Sequence, residues 1–382
     1  MTVDVKPQLL VWARERAQLP IRALESRFPR LREWESGDAA PTLKQLEKYA
    51  RATYTPVGLF FLAEPPEETL PIPDFRTAGD AVIARPSANL LDTIYECEQR
   101  QEWYRDTVRA SGAEPIVFVG SASTNDLPET AAAEIRATLL CSIEERRQQS
   151  TWGEALRALI ARTEDLGILV MVSGVVGNNT SRKLDPMEFR GFALADDLAP
   201  LVFVNGADSK AAQMFTLMHE IAHLWLGTSS LDNVNPAPAE RGRVEDWCNE
   251  VAAEALVPLA TLRNEYRPQE SLDDALSRLA RHFKVSTLVV LRRLYAAGIL
   301  SKANYWDAYE KELEKTQARA AASGGNFYAT QASRVGRRFA TTLVASTLEG
   351  RTLYRDALRL LGISKVSTFQ DFGRSLGFDM VA

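Results

Sequence analysis

The sequence predicts a mostly helical α+β protein, and three observations support that fold class. Segments with a helical spacing of apolar residues fill both ends of the chain. Between them, near residues 167 to 206, short runs rich in β-branched residues are typical of strands. The chain has 382 residues, which is enough for two or three domains of ordinary size.

The first 62 residues have the pattern of a small helical domain. Pro7 precedes a run of apolar residues at near-helical spacing, and proline is favoured at the start of a helix. We expect short helices in 20–28 and 30–37, and a further helix that begins at Pro41. A proline-rich linker, residues 65–85, follows.

Longer helices are expected from residue 86 onward. Their spacing of apolar residues places them in 86–112, 129–142 and 151–166. The last begins with the signature of a capping box, Thr151 followed three residues later by Glu154. The pattern then predicts a small sheet, with strands in 167–177, 188–197 and 199–206.

The stretch TLMHEIAHLW, residues 216–225, suggests a metal site. It lies in a helix expected to run from the N-cap Ser209 to Gly227. The chain has three histidines, and His219 and His223 lie one helical turn apart, where both can bind one Zn²⁺. Glu220 lies about 100° round the helix, where it can act as general base. The alternative is that these are core polar groups, and each would then need its own buried partner.

The next helix offers candidates for a third ligand. A polar loop, residues 228–243, precedes it, and an apolar stripe in VEDWCNEVAAEALVP is expected to face the core. Beside that stripe, Glu245 can coordinate the metal and Asn249 can accept the free N–H of a ligating imidazole. Glu250 and Glu254 are competitors for the ligand role, and exposure to solvent is the alternative for each of these glutamates.

HEIAH followed by EDWCNEVAAEALVP resembles the ImmA/IrrE family of metallo-endopeptidases. The resemblance covers about residues 165–260 and implies a gluzincin-like metallopeptidase domain with one Zn²⁺ per chain. It implies that His219, His223 and Glu245 are the metal ligands. Glu220 is then the catalytic base, and the substrate is a protein, often a repressor. Trp247 departs from the family, because many members carry an acidic residue at that position.

Two further expectations concern the substrate. His282 or Tyr266 could donate a hydrogen bond to the oxyanion that forms during peptide hydrolysis. The resemblance also suggests that the strand APLVFVN, residues 199–205, presents an edge to which an extended substrate adds as a further strand.

Residues 9–53 resemble a Cro/C1-type (XRE) helix-turn-helix domain. The resemblance rests on ARER in the first helix, on the WESG segment and on the helix that begins with PTL. The segment before WESG is shorter than the usual turn and recognition helix. Arg27, Arg30 and Arg32 could still contact DNA phosphates. The alternative is a helical module for dimerisation or for binding another regulator.

The last third of the chain is expected to be helical. Residues 279–300 have a helix-turn-helix outline with Arg292 and Arg293 on the second helix, although we favour simple packing against the metal domain. Gly324 and Gly325 mark the boundary before a terminal helical unit. The expected domains are an XRE-like domain, a linker, a metallopeptidase domain, a helical extension and a C-terminal unit, at 1–64, 65–85, 86–270, 271–323 and 324–382.

Composition limits the partners and leaves two functions to compare. A net charge of −5 gives no general attraction to DNA or to anionic membranes. Three widely spaced cysteines favour reduced thiols and a cytoplasmic location, and no apolar run is long enough to cross a membrane.

One hypothesis for the function is a zinc peptidase that cleaves a repressor or an antitoxin-like protein. The other is a DNA-binding regulator whose peptidase-like domain is a sensor. The intact HEIAH motif favours the first, because a sensor has no need of the base Glu220.

Overall fold

The protein is mostly helical with one small sheet, which confirms the α+β class. The computed structural model describes residues 2–68, 86–232, 242–317 and 327–380. Most of the linker expected in 65–85 and the boundary expected at Gly324 and Gly325 lie outside the described residues. Within the described residues, no helix is both long enough and apolar enough to span a membrane.

The chain divides into two compact units. The first comprises Met1–Pro71 and Ala84–Tyr95, and the second comprises Ile72–Ile83 and Glu96–Ala382. The division gives no direct test of the five domains expected from the sequence, which stay predictions.

Within residues 2–68 of the first unit, four short helices and a 3-10 turn surround an aromatic core. They are α1 (Pro7–Arg16), α2 (Ile21–Glu25), α3 (Leu31–Ser36), α4 (Leu43–Ala52) and the turn Val57–Phe61. The ring of Tyr49 makes edge contacts with Phe28, Trp34 and Phe60, at centroid distances of 5.4, 6.4 and 5.9 Å. The Tyr49 hydroxyl donates a hydrogen bond to the carbonyl oxygen of Leu10 at 2.8 Å. The helices expected in this region are therefore present, with α2 and α3 as single short turns.

The remaining helices belong to the second unit, except that α5 also includes residues of the first. They are α5 (Ala88–Ala110), α6 (Pro128–Thr138), α7 (Ile143–Gln148), α8 (Trp152–Asp165), α9 (Lys210–Leu226), α10 (Arg243–Leu256), α11 (Leu259–Glu265), α12 (Leu272–Phe283), α13 (Thr287–Ala296), α14 (Lys302–Gln317), α15 (Phe327–Val335), α16 (Arg337–Leu348), α17 (Tyr354–Leu361) and α18 (Val366–Ser375). The Thr151–Glu154 capping box at the start of α8 is confirmed.

In the part of the chain that the structure describes, four strands form the sheet in the order β1-β3-β2-β4. They are β1 (Leu169–Ser173), β2 (Gly191–Leu194), β3 (Leu201–Asn205) and β4 (Ser230–Asp232). β3 pairs in parallel with β1 and antiparallel with β2, so it lies inside the sheet. The expectation that residues 199–205 present a free edge is therefore wrong, because both sides of β3 are already paired. Among the described strands, β1 and β4 lie at the two edges of the sheet. Strand β4 lies in the region expected to be a polar loop.

Both faces of the sheet are covered, which explains why every residue of β1, β2 and β3 is buried. Valines of β1 and β3 belong to the large core cluster that also includes the apolar side chains of α8, α9 and α10. Phe192 and Phe203 stack at 5.0 Å. Gln101 of α5 donates hydrogen bonds to the carbonyl oxygens of Leu194 and Ala199 at 3.0 and 2.9 Å.

The end of α10 is held by buried polar contacts from α13. Arg293 forms an ion pair with Glu254, and its Nε donates to the carbonyl oxygen of Val257 at 2.8 Å. Arg293 is buried, whereas Arg292 is exposed. This geometry supports the packing role for the helix-turn-helix outline in 279–300, since one of its two arginines points into the protein.

A buried carboxylate links α8 to α16. Glu164 accepts a hydrogen bond from the Arg338 backbone N–H at 2.9 Å, and Nη1 of Arg338 donates to the carbonyl oxygen of Glu164 at 2.9 Å. Burial raises the pKa of Glu164 to about 7, although the backbone amides of Arg338 and Arg337 favour the ionised form. Folding therefore favours a proton on this carboxyl group.

The variant Glu164→Gln is expected to lose less stability than the wild type as pH rises. Because the pKa in the folded protein lies above the ordinary value of 4.5, the favourable contribution of Glu164 is complete below about pH 4.5 and is lost as pH rises through about 7. Between about pH 4.5 and 8, the free energy of unfolding of the wild type should fall by about 3 kcal/mol relative to the variant. Urea unfolding of both proteins across this range measures the difference, and parallel pH profiles would contradict it.

Candidate metal centre

Helix α9 places two imidazole rings side by side in the protein interior. Its start at the N-cap Ser209 and its end at Gly227, which has a left-handed conformation, are as expected from the sequence. His219 and His223 are fully buried, and their Nε2 atoms lie 3.1 Å apart. The rings meet because residues four apart lie on one face of a helix.

Helix α10 brings a carboxylate to the same point. Oε2 of Glu245 lies 3.2 Å from Nε2 of His219, and Oε1 lies 3.1 Å from Nε2 of His223. Glu245 is 5% exposed. Packing of α10 against α9 positions this side chain, with Cys248, Val251 and Ala255 buried between the helices and their neighbours. The structure thus brings together the three side chains expected to be ligands.

The competing glutamates of α10 lie elsewhere. Glu254 is paired with Arg293, and Glu250 is exposed. Trp247, which replaces an acidic residue of the ImmA/IrrE pattern, is buried and donates its indole N–H to the carbonyl oxygen of Asp126 at 2.9 Å. Trp247 therefore packs α10 in place, and Glu245 is the carboxylate that meets the histidines.

The charges of the cluster suit metal binding. Burial lowers the pKa of His223, and the hydrogen bond with Glu245 only partly opposes this effect. Burial alone would raise the pKa of Glu245, but hydrogen bonds and charge interactions with His219 and His223 hold it well below its usual range. A neutral imidazole and an ionised carboxylate are the states in which these groups bind a metal ion.

The spacing of the three ligand atoms also fits a tetrahedral metal ion. The two Nε2 atoms and the Glu245 carboxylate are separated by 3.1 to 3.2 Å. A tetrahedral zinc site with bonds of ~2.0–2.1 Å holds its ligand atoms about 3.3 Å apart. Two histidines and a carboxylate are a donor set of catalytic zinc sites, in which the fourth position is open. His219, His223 and Glu245 could therefore hold a metal ion.

Glu220, the expected base, lies between α9 and the sheet. It is fully buried, and the hydroxyl of Ser230 donates to its Oε2 at 3.0 Å. A Cβ atom at Gly191 would lie 3.1 Å from its Oε1 and 2.5 Å from Cγ2 of Thr216. Gly191 therefore leaves the room that this carboxylate occupies.

The ring of His223 has a polar neighbour just after the end of α9. Oγ1 of Thr228 lies 3.2 Å from Nδ1 of His223. Asn249, expected to accept from a ligating imidazole, is half-buried on α10, and its side chain makes no hydrogen bond within the described residues. The role of Asn249 stays a prediction. Thr228 was missed because it follows the helix in a segment with no helical or strand pattern.

The two residues proposed as oxyanion donors lie on other helices. His282 is on α12, with its Nδ1 3.7 Å from Oε2 of Glu265. Tyr266 is the C-cap of α11 and packs against the core cluster. Within the described residues, the metal-ligand group comprises His219, His223 and Glu245 and does not include His282.

The arginines expected to contact DNA have acidic or aromatic neighbours within the first unit. Arg30 pairs with Glu33 at 2.6 Å, and Arg32 pairs with Glu25 at 2.5 Å. The guanidinium of Arg27 lies 5.7 Å from the centre of the Phe28 ring. Residues 1–68 contain ten Lys and Arg and ten Asp and Glu, so they carry no net positive charge to attract phosphates.

Comparisons with known proteins agree with the position of the candidate site. Residues 163–295 match the family model described as the IrrE N-terminal-like domain, from peptidase family M78. Residues 335–375 match a model described as a domain of unknown function. No curated protein matches the chain. The middle of the chain is thus similar to an M78 metallopeptidase domain, and the matched range includes His219, His223 and Glu245.

Gly191→Ala should lower the stability of the second unit. The added methyl group would meet Cγ2 of Thr216 at 2.5 Å and the carbonyl oxygen of Phe203 at 2.8 Å, so strand and helix must move apart. We expect a loss of about 1–3 kcal/mol in the free energy of unfolding, measured with urea. Gly153→Ala is the control, because its nearest new contact is 3.6 Å. Equal stabilities of the two variants would contradict the close packing at Gly191.

Proposed function

We propose that this protein is a zinc-dependent endopeptidase. The observation that carries the proposal is the buried triangle of two imidazole nitrogens and one carboxylate, with Glu220 one residue after the first histidine. The similarity of residues 163–295 to an M78 peptidase domain supports the same chemistry. We propose one Zn²⁺ per chain, with His219, His223 and Glu245 as its ligands.

Zinc bound at this site supplies Lewis acidity, which polarises a peptide carbonyl and lowers the pKa of water. The carboxylate of Glu220 takes a proton from the attacking water while the new bond from oxygen to the carbonyl carbon forms. The same carboxylate then gives that proton to the amide nitrogen as the carbon–nitrogen bond breaks. Burial of Glu220 between α9 and the sheet limits competing contacts with solvent.

The proposed substrate is a protein, and a repressor or an antitoxin-like regulator fits the ImmA/IrrE resemblance. An extended segment of that protein could add to the sheet at β4, because β4 is an edge strand and directly follows α9. One residue of β4, Ser230, contacts Glu220, so a peptide on this edge would lie near the base. We therefore propose that the substrate segment pairs with β4, because both sides of β3 are already paired.

DNA binding through an XRE-like domain remains an expectation from sequence resemblance. The pairing of Arg30 and Arg32 with glutamates, and the balance of charge in residues 1–68, count against phosphate binding. A helical module for contact with another protein agrees better with this surface. Free thiols at Cys97, Cys141 and Cys248 support the proposal of a reducing, cytoplasmic location.

Glu245→Gln is expected to weaken zinc binding strongly. Loss of the negative charge leaves two neutral imidazoles, which bind zinc far less tightly than three ligands do. We expect the affinity to fall by at least about 100-fold, measured by competition with a chromogenic chelator. Glu250→Gln, on the exposed side of the same helix, is the control and should bind like the wild type. A wild type that binds no zinc would overturn the proposal.

Glu220→Gln is expected to retain zinc but to lose peptide hydrolysis, because an amide cannot take the proton from water. Quantitative proteomics of cells that produce either the wild type or this variant would identify the substrate. A regulatory protein should decrease, with cleavage fragments appearing, only in cells with the wild type. Cleavage of that protein by purified Glu220→Gln at the wild-type rate would contradict the role of Glu220.

A further inference from the structure

Along the three residues Thr228, Ser229 and Ser230, the side chains contact helix α9 and the sheet in alternation. Thr228 contacts His223 and Ser230 contacts Glu220, both on α9. Between them, Oγ of Ser229 accepts a hydrogen bond from the backbone N–H of Ala195 at 3.0 Å, on the sheet side. Alternation of this kind is the property of extended chain, in which residues i and i+2 share a face. The segment therefore presents two hydroxyl groups to the candidate metal helix.

Thr228 contacts both the backbone and the ring of His223. The backbone N–H of Thr228 donates to the carbonyl oxygen of His223 at 3.0 Å, and its hydroxyl donates to the same oxygen at 3.4 Å. Oγ1 of Thr228 also lies 3.2 Å from Nδ1 of His223, where it can accept a hydrogen bond from Nδ1–H. A neutral imidazole has one N–H, so the tautomer with Nδ1–H leaves the lone pair of Nε2 for a metal ion.

The contact of Ser230 fixes the plane of the Glu220 carboxylate. Ser230 is fully buried, and its hydroxyl donates to Oε2 of Glu220 at 3.0 Å. The other oxygen, Oε1, lies 3.1 Å from the position that a Cβ atom at Gly191 would take. A buried hydrogen bond to a charged group is among the stronger ones in proteins, because water does not compete for either partner.

We infer that Thr228 and Ser230 are positioning residues for the proposed active site. Thr228 supports the tautomer of His223 that binds a metal through Nε2, and Ser230 holds the Glu220 carboxylate in the orientation that receives a proton. Each of the two acts through another side chain. The inference rests on the proposed function and names two residues that lie outside the HEIAH motif.

The first test concerns Thr228. Thr228→Val keeps the shape of the side chain but removes the hydroxyl, whereas Thr228→Ser keeps the hydroxyl. Three histidines give a simple imidazole ¹⁵N spectrum, so the Nδ1–H of His223 can be followed in the zinc-loaded protein. We expect slow exchange of this proton with solvent in the wild type and Thr228→Ser, and faster exchange in Thr228→Val. Zinc affinity should fall by roughly 10–100-fold in Thr228→Val only.

The second test concerns Ser230, with Ser229→Ala as the matched control. Acetohydroxamic acid is the probe, because it chelates zinc through two oxygens and gives its proton to a neighbouring carboxylate. Ser230→Ala should bind zinc like the wild type but bind acetohydroxamic acid roughly tenfold more weakly. Ser229→Ala loses a contact on the sheet side only, so it should bind zinc and acetohydroxamic acid with the affinities of the wild type. Glu220→Gln should show the same weak binding of the probe as Ser230→Ala.

The outcomes separate the inference from the proposed function. Absence of zinc binding in the wild type, or unchanged probe affinity in Glu220→Gln, would overturn the proposed function. If zinc binds and Glu220→Gln weakens the probe, equal probe affinities of Ser230→Ala and the wild type would overturn the role of Ser230 alone. Unchanged exchange of the His223 Nδ1–H and unchanged zinc affinity in Thr228→Val would overturn the role of Thr228.

Discussion

The packing of α10 against α9 is the constraint on which the candidate site depends. Helical periodicity alone places His219 and His223 together, but Glu245 reaches them only because two buried helices meet. Two imidazoles and a carboxylate in an apolar interior are costly unless something satisfies all of them. A bound cation satisfies all three groups at once, because each imidazole nitrogen and the carboxylate oxygen offers it a lone pair. The burial of this cluster is thus better explained by a metal site than by packing.

The sheet determines where the proposed base lies. Gly191 of β2 leaves space for the Glu220 carboxylate, and Ser230 of β4 holds it. The C-terminal helices contribute to the same architecture from the side of β1. Gly336, just before α16, lies so close to β1 that a Cβ atom there would be 2.8 Å from the carbonyl oxygen of Val170. The segment that matches a domain of unknown function therefore belongs structurally to the unit that contains the site.

Local sequence patterns correctly predicted which side chains come together where helices alone were concerned. The bounds of α9 follow from Ser209 and Gly227, and Glu245 follows from its place beside the apolar stripe of α10. Strand β4 has three residues, which is too short to show alternation, so the contact of Ser230 was not visible. The pairing of β3 on both sides depends on chain order in the sheet, which no single strand reveals. Likewise, a sequence shows arginines but not their ion pairs, as at Arg30 and Arg32.

The central claim is that His219, His223 and Glu245 together bind zinc. X-ray absorption spectroscopy at the zinc edge, on protein loaded with one equivalent of Zn²⁺, measures the identity and number of ligands directly. We expect nitrogen and oxygen ligands at ~2.0–2.2 Å, with the scattering pattern of two imidazoles. In Glu245→Gln, the oxygen contribution should decrease while any remaining imidazole signal persists. A sulfur ligand at ~2.3 Å, or a wild-type spectrum with no imidazole contribution, would contradict the claim.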